Sequence, residues 1–334
     1  MRQHLFGHLQ DGTPVPAYTL VSNTGMEAVI TPYGGRLAAL RVPVGGQMRN
    51  VTLGFESLEP YLTDPAHLGA ITGRYANRIR GGRFPLDGRV YQLPVNSNGS
   101  TLHGGPGGFA YKLWRAEPDN ASTLTLTLHS PDGDQGFPGA LDVSVEYRLD
   151  GNTLILQYAA TCDAPTVVNL TNHAYFNLAG QGNILDHELQ VLSTRATPLD
   201  SQQMPTGDID DISGTPLDFS TLTQIGARIN AHHPQLIYGK GYDICYAFDD
   251  GPRATAEHCA TVRAAGLEMR VCTTEPGVQF YTANHLGGPF GRFGGLCLET
   301  QHFADSPNIG HFPTTVLRPG MRFASVTKYR FSTL

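Results

Sequence analysis

Proton-transfer chemistry in this chain could come from five separated polar clusters, not from one contiguous motif. His173 stands in VVNLTNHAYFNLAG, residues 167–180, among Asn169, Asn172 and Asn177, with Leu170, Tyr175 and Phe176 interleaved. Histidine titrates nearest neutrality, and in a partly dry, hydrogen-bonding setting it suits a general acid. The same composition also fits an Asn/His network at a strand edge. Glu299 follows the apolar run Leu296-Cys297-Leu298 and precedes Thr300-Gln301-His302. A carboxylate at that position is desolvated, which raises its proton affinity and makes it a better base; with a cationic partner it would be structural instead. His103 precedes two glycines in NSNGSTLHGG, residues 96–105. That places its ring in an open loop, either as a titrating group or as a satisfied structural histidine.

Two further clusters, and a stretch upstream of Glu299 within its own cluster, offer directed hydrogen bonds. GRYANRI, residues 73–79, concentrates Arg74, Asn77 and Arg78 between glycines. Asn and Arg both donate to hydroxyl oxygens, and a solvated turn is the alternative. Asp243, in YGKGYDICYAF, residues 238–248, caps a turn or accepts from two neighbouring hydroxyls. Gln279, in TTEPGVQFYTAN, alternates with Tyr281 on an expected strand beside Glu299.

Other chemistries find less support. The histidines His232, His233, His302 and His311 form no HExxH or facial ligand pattern, and Asp208, Asp210 and Asp211 match no EF-hand loop. No metal and no cofactor are therefore expected. GGPGG at 104–108 lacks the Lys-Ser/Thr of a phosphate-binding loop, and no serine sits in a GxSxG elbow. The formal charge of -6 gives no general pull toward nucleic acid or an anionic membrane. Five cysteines with no CxxC pair suggest core thiols and a reducing compartment. The N-terminus lacks the apolar run of a signal peptide, and no stretch approaches ~20 apolar residues. The expected location is cytoplasmic.

The elements that must hold these clusters read as strands. Leu124, Leu126 and Leu128 alternate with threonines. Leu141, Val143, Val145, Tyr147 and Leu149 alternate with polar residues up to Asp150-Gly151-Asn152, and Leu154, Leu156 and Tyr158 resume the period. Asp87-Gly88 interrupts a second candidate hairpin, and Phe323, Ser325, Thr327, Tyr329 and Phe331 share one face of a C-terminal strand. Helical signals are short: 220–230 with Ser220 as cap, and 57–67, broken by Pro60 and Pro65. No βαβ rhythm and no low-complexity linker appear, so residues 1–334 read as one all-β, antiparallel domain with large inserted loops. No coiled coil points to a dimer, so a monomer is expected.

GRYANRI, TLHGG, TNHAYFNLAG, KGYD, PGVQFYT and LETQHFADSPN, in this order over nearly the whole chain, resemble the aldose 1-epimerase (galactose mutarotase) family. The resemblance implies a large antiparallel β-sandwich with a sugar groove across a sheet. It implies an isomerase of carbohydrate metabolism that interconverts the α and β anomers of free aldoses, such as galactose or glucose, without a cofactor. It assigns His173 as general acid, Glu299 as general base and His103 as a second histidine near the ring oxygen. Asn77, Arg78, Asp243 and Gln279 match its substrate-binding positions. Three alternatives stay open: a hexose-6-phosphate epimerase, a glycosidase pairing Asp243 with Glu299, and a non-catalytic carbohydrate-binding protein.

Overall fold

The period of two becomes a strand whose burial alternates residue by residue. In Leu141–Asp150, Leu141, Val143, Val145, Tyr147 and Leu149 face inward. Asp150 pairs with Thr153 across a two-residue loop, and Gly151 takes a φ of 55° at its first position, where a glycine is favoured. Leu86 pairs with Arg89 in the same way, with Asp87 and Gly88 both at positive φ. Phe323–Thr333 buries Ser325, Thr327, Tyr329 and Phe331, the face expected from its sequence.

These strands belong to a nine-stranded antiparallel sheet in a computed structural model that describes residues 1–248 and 251–334. Its order runs Arg115–Asn120, Thr123–Ser130, Leu141–Asp150, Thr153–Cys162, Phe323–Thr333, Leu267–Thr273, Glu257–Ala264, Glu188–Val191, Thr223–Gln224. An N-terminal five-stranded meander spans Arg2–His8 to Gln47–Asn50. A second five-stranded sheet orders Asp210–Asp211, Arg195–Thr197, Asp243–Ala247, Gly277–Tyr281 and Cys297–Gln301. One apolar core joins all three: Leu20 and Ile30, Val145 and Val271, Ile244 and Phe280 share it. The result is a sandwich-like packing of antiparallel sheets with few short helices. Each such apolar side chain contributes about 1.5–3 kcal/mol by leaving water.

The second five-stranded sheet has two unlike faces. Ile244, Tyr246, Val278, Phe280 and Leu298 join the core, and Thr300 Oγ1 meets Thr327 Oγ1 of the large sheet at 2.5 Å. The opposite face presents Asp243, Gln279, Tyr281, Cys297 and Glu299.

Both helical expectations need correction. Residues 220–230 hold the edge strand Thr223–Gln224 and a 3-10 turn, Ile225–Ala227. Pairing with Glu188–Val191 takes the backbone bonds a helix would need, and Ser220 gives its carbonyl to Gln190. Within 57–67 only a 3-10 turn, Glu59–Thr63, forms; beyond it, Asp64 captures the amides of Ala66 and Leu68. The α-helix among the described residues, Pro234–Gly239, is too short to show a period in sequence; His233 Nδ1 caps it by accepting the Gln235 amide. No helix among the described residues is long and apolar enough to cross a membrane.

Candidate active site

Strand register sets half of the site. Gln279 lies opposite Glu299, and Asp243 lies opposite Tyr281, so alternation aims all four side chains away from the core. The Gln279 amide donates to Asp243 Oδ1 at 2.6 Å, which fixes both.

Loops set the other half. The short strands Arg78–Ile79 and Thr101–Leu102 pair, and each runs into a residue at positive φ, Asn77 and His103. These two lock reciprocally: the Asn77 backbone N–H donates to His103 Nδ1 at 3.1 Å, and the His103 backbone N–H donates to the Asn77 backbone carbonyl at 3.0 Å. Gly104 follows at a φ of 84°, and a Cβ there would lie 1.9 Å from the Gly73 carbonyl, so no other residue fits. His173 follows the strand Thr171–Asn172, and its backbone bonds both Ala70 and Gly69.

All seven residues singled out from the sequence line one cavity of about 340 Å³: Asn77, Arg78, His103, His173, Asp243, Gln279 and Glu299. That volume suits one small molecule. Across it, His173 Nε2 stands 3.6 Å from Glu299 Oε1. This exceeds hydrogen-bond length, so the pair is not closed on itself. Glu299 Oε2 is buried with no partner. Burial first, then the nearby Asp243, pushes the Glu299 carboxyl well above the usual range, against an opposing pull from Arg78. Burial raises Asp243 as well, with Arg78 and Gln279 opposing.

The histidines shift the other way. Burial and then His67 take His173 down to about 3. Burial, His67, His173 and Arg78 hold His103 well below its ordinary value. Both rings are neutral near pH 7. Because His103 Nδ1 accepts an amide hydrogen, the hydrogen-bond pattern assigns its own proton to Nε2. His173 Nδ1 meets the Cys297 thiol at 3.5 Å, and burial keeps that thiol protonated. A thiol donating there leaves the His173 proton on Nε2, facing Glu299.

His103, His173 and Glu299 can each bring one ligand atom within 4.8 Å of the others, close enough for a metal ion. A ligating histidine normally donates its other ring N–H, whereas His103 receives at Nδ1 and holds a proton on Nε2. That tautomer suits donation to an oxygen in the cavity.

Sequence reasoning missed several lining residues: His67, Tyr175, Tyr281 and Gln203. Gln203 Oε1 accepts from the Arg78 guanidinium at 3.1 Å and so positions it. Tyr281 was visible as the strand neighbour of Gln279; His67 and Gln203 lie in segments with no motif.

The aldose 1-epimerase family model matches residues 16–330. The chain belongs to the aldose 1-epimerase family. It is 39% identical to the galactose mutarotase of Mus musculus, across 98% of this chain and 97% of that relative. It is 38% identical to the aldose 1-epimerase of Escherichia coli K12, across 96% of each. Among solved structures, an aldose epimerase homologue from C. elegans superposes with a TM-score of 0.88 at 28% identity, covering 95% of this chain and 99% of that one. A galactose 1-epimerase from Lactobacillus acidophilus gives 0.87 at 27% identity, covering 100% and 99%. Membership thus spans nearly the whole chain, including every cavity segment described above.

Proposed function

We propose that the protein is an aldose 1-epimerase that interconverts the anomers of free aldoses such as galactose or glucose. The observation that carries this reading is Glu299 facing His173 across 3.6 Å of a cavity that Asn77, Arg78, Asp243 and Gln279 also line. Glu299 removes the proton from O1 while His173 delivers one to the ring oxygen O5. The C1–O5 bond breaks, O1 becomes the carbonyl oxygen of the open aldehyde, and rotation about C1–C2 turns the other carbonyl face. Closure reverses both transfers and yields the opposite anomer. The pair therefore works with one shared proton. In the empty site, burial raises the proton affinity of Glu299 and lowers that of His173, so the proton each transfer needs moves within this pair. His103 Nε2–H and Arg78 offset negative charge near O5, and Asn77, Asp243 and Gln279 hold the remaining hydroxyls.

Among the described residues, Arg78 is the one Lys or Arg side chain lining the cavity, which favours unphosphorylated sugars over a hexose 6-phosphate. Asp243 already accepts from Gln279, which suits sugar binding better than partnership in a glycosidase pair. The test is polarimetry on freshly dissolved galactose, glucose and galactose 6-phosphate. Faster mutarotation of the free sugars is expected; exclusive action on the phosphate, or no acceleration at all, would overturn the reading.

A further inference from the structure

His67 was not legible in the sequence, yet an unusual amount of buried polar structure is committed to aiming it. Its φ of 55° is uncommon for any residue but glycine. Strained backbone of that kind persists where surrounding bonds enforce it. The Asp64 carboxylate supplies three of them, accepting from the Ala66 amide at 2.9 Å, the Leu68 amide at 2.7 Å and the buried Arg36 guanidinium at 3.0 Å. Arg36 also donates to the Leu68 carbonyl at 2.8 Å, closing the turn around His67.

The ring delivered in this way touches the proton-transfer residues. Its centroid lies 6.1 Å from that of His173 at an interplanar angle of 26°. Tyr175 stacks near the same imidazole at 5.0 Å and 28°, and its hydroxyl donates to the Ala66 carbonyl at 2.9 Å. His103 lies 4.9 Å from His67, ring to ring. At its edge, His67 Nε2 meets the Tyr111 hydroxyl at 3.3 Å.

We infer that His67 is a positioning residue for His173, its stacked ring and its bond to Tyr111 fixing the plane of that imidazole and so the direction of its Nε2 proton. The inference rests on the proposed role of His173 as proton donor. An imidazole suits the task because one edge can be tied to Tyr111 while the flat face remains for stacking. Burial and Arg36 hold His67 down to about 4, so at neutral pH it adds no charge to oppose a proton on His173.

Three variants and two readouts test this. His67→Ala removes ring and bond, His67→Phe keeps a ring but loses the bond, and Tyr111→Phe leaves the His67 ring in place while losing the bond together with the hydroxyl's donation to the Asp64 carbonyl at 3.4 Å. Misaimed groups lose rate steeply, so His67→Ala should lower kcat roughly tenfold, with KM within about twofold. His67→Phe and Tyr111→Phe should each lower kcat about threefold. Their double variant should lose no more than either alone, since both break one contact. The imidazole ¹⁵N signals of His173 should shift in all three. That spectrum decides the positioning claim even if the wild-type protein moved no anomer, so failure of the proposed reaction would show separately. Unmoved His173 signals, a KM rise at unchanged kcat, or additive losses in the double variant would overturn it.

Discussion

The two halves of the site are built by different physics. Asp243, Gln279 and Glu299 project from three hydrogen-bonded strands whose other face is welded into the core. Asn77, His67 and His103 project from loops, and each sits at positive φ. The strand half is aimed by pleat and register; the loop half is aimed by local bonds, namely the Asn77–His103 lock and the Asp64 turn. Errors should therefore propagate differently. Changes in the strand half should alter chemistry and leave the scaffold alone, whereas changes in the loop half should alter geometry and pH tolerance.

The largest expected effect lies in the strand half. Glu299→Gln keeps the shape and removes the base, so kcat should fall by at least roughly 100-fold with KM changing less. From the loop half, His173→Asn should do the same, because it is the other member of the proton-transfer pair and the exception to that division. The double variant should lose much less than the product, because both groups serve one proton exchange. In the strand half, Asp243→Asn should raise KM, with a smaller loss of kcat. Steady-state polarimetry on these folded variants separates the cases.

The pH profile sharpens the comparison. The active pair holds one proton. Below the His173 value of about 3 the pair gains a second, and above the raised Glu299 value it loses the only one. The rate should follow a bell whose limbs belong to the coupled pair. In Glu299→Gln the limb set by the raised Glu299 value should vanish, leaving any residual rate to follow His173.

A smaller effect is expected on stability, and it reports on the histidine-rich half. His67, His103 and His173 all have depressed folded values, so the unfolded chain binds their protons first. Their contribution is present above the unfolded value near 6.5 and is lost as pH falls toward the folded ones. At pH 5 His67 and His173 should each cost about 2 kcal/mol relative to pH 7, and His103 should add in the same direction. The urea midpoint should drop between these pH values, and less so in His67→Phe. A midpoint independent of pH would contradict the neutral-histidine account. Smallest of all, exhaustive chelation should leave anomer exchange unchanged, since the proposed proton transfer between Glu299 and His173 needs no Lewis acid. Activity that returned only with a divalent ion would reject that.

The same contrast explains what could be read from the chain. Leu141–Asp150 and Phe323–Thr333 announced themselves, because a half-buried strand leaves a period of two. Gln279 and Tyr281 were placed on one face for that reason. His67 left no trace: its position depends on Asp64 and Arg36, the latter distant in sequence, and on a left-handed backbone that no pattern encodes. The 220–230 segment misled because helical spacing is a local signal, while the pairing of Thr223–Gln224 with Glu188–Val191 is not. His103 and His173 were found as residues, but their tautomers required the Asn77 amide and the Cys297 thiol.

The most direct test of the central claim is two-site exchange NMR on the α and β anomeric protons of galactose at equilibrium, with wild-type protein and Glu299→Gln at equal concentration. The account predicts exchange cross-peaks that grow with wild-type enzyme, and a rate at least roughly 100-fold lower for the folded variant. Near-normal exchange in Glu299→Gln would contradict it and remove Glu299 as the base.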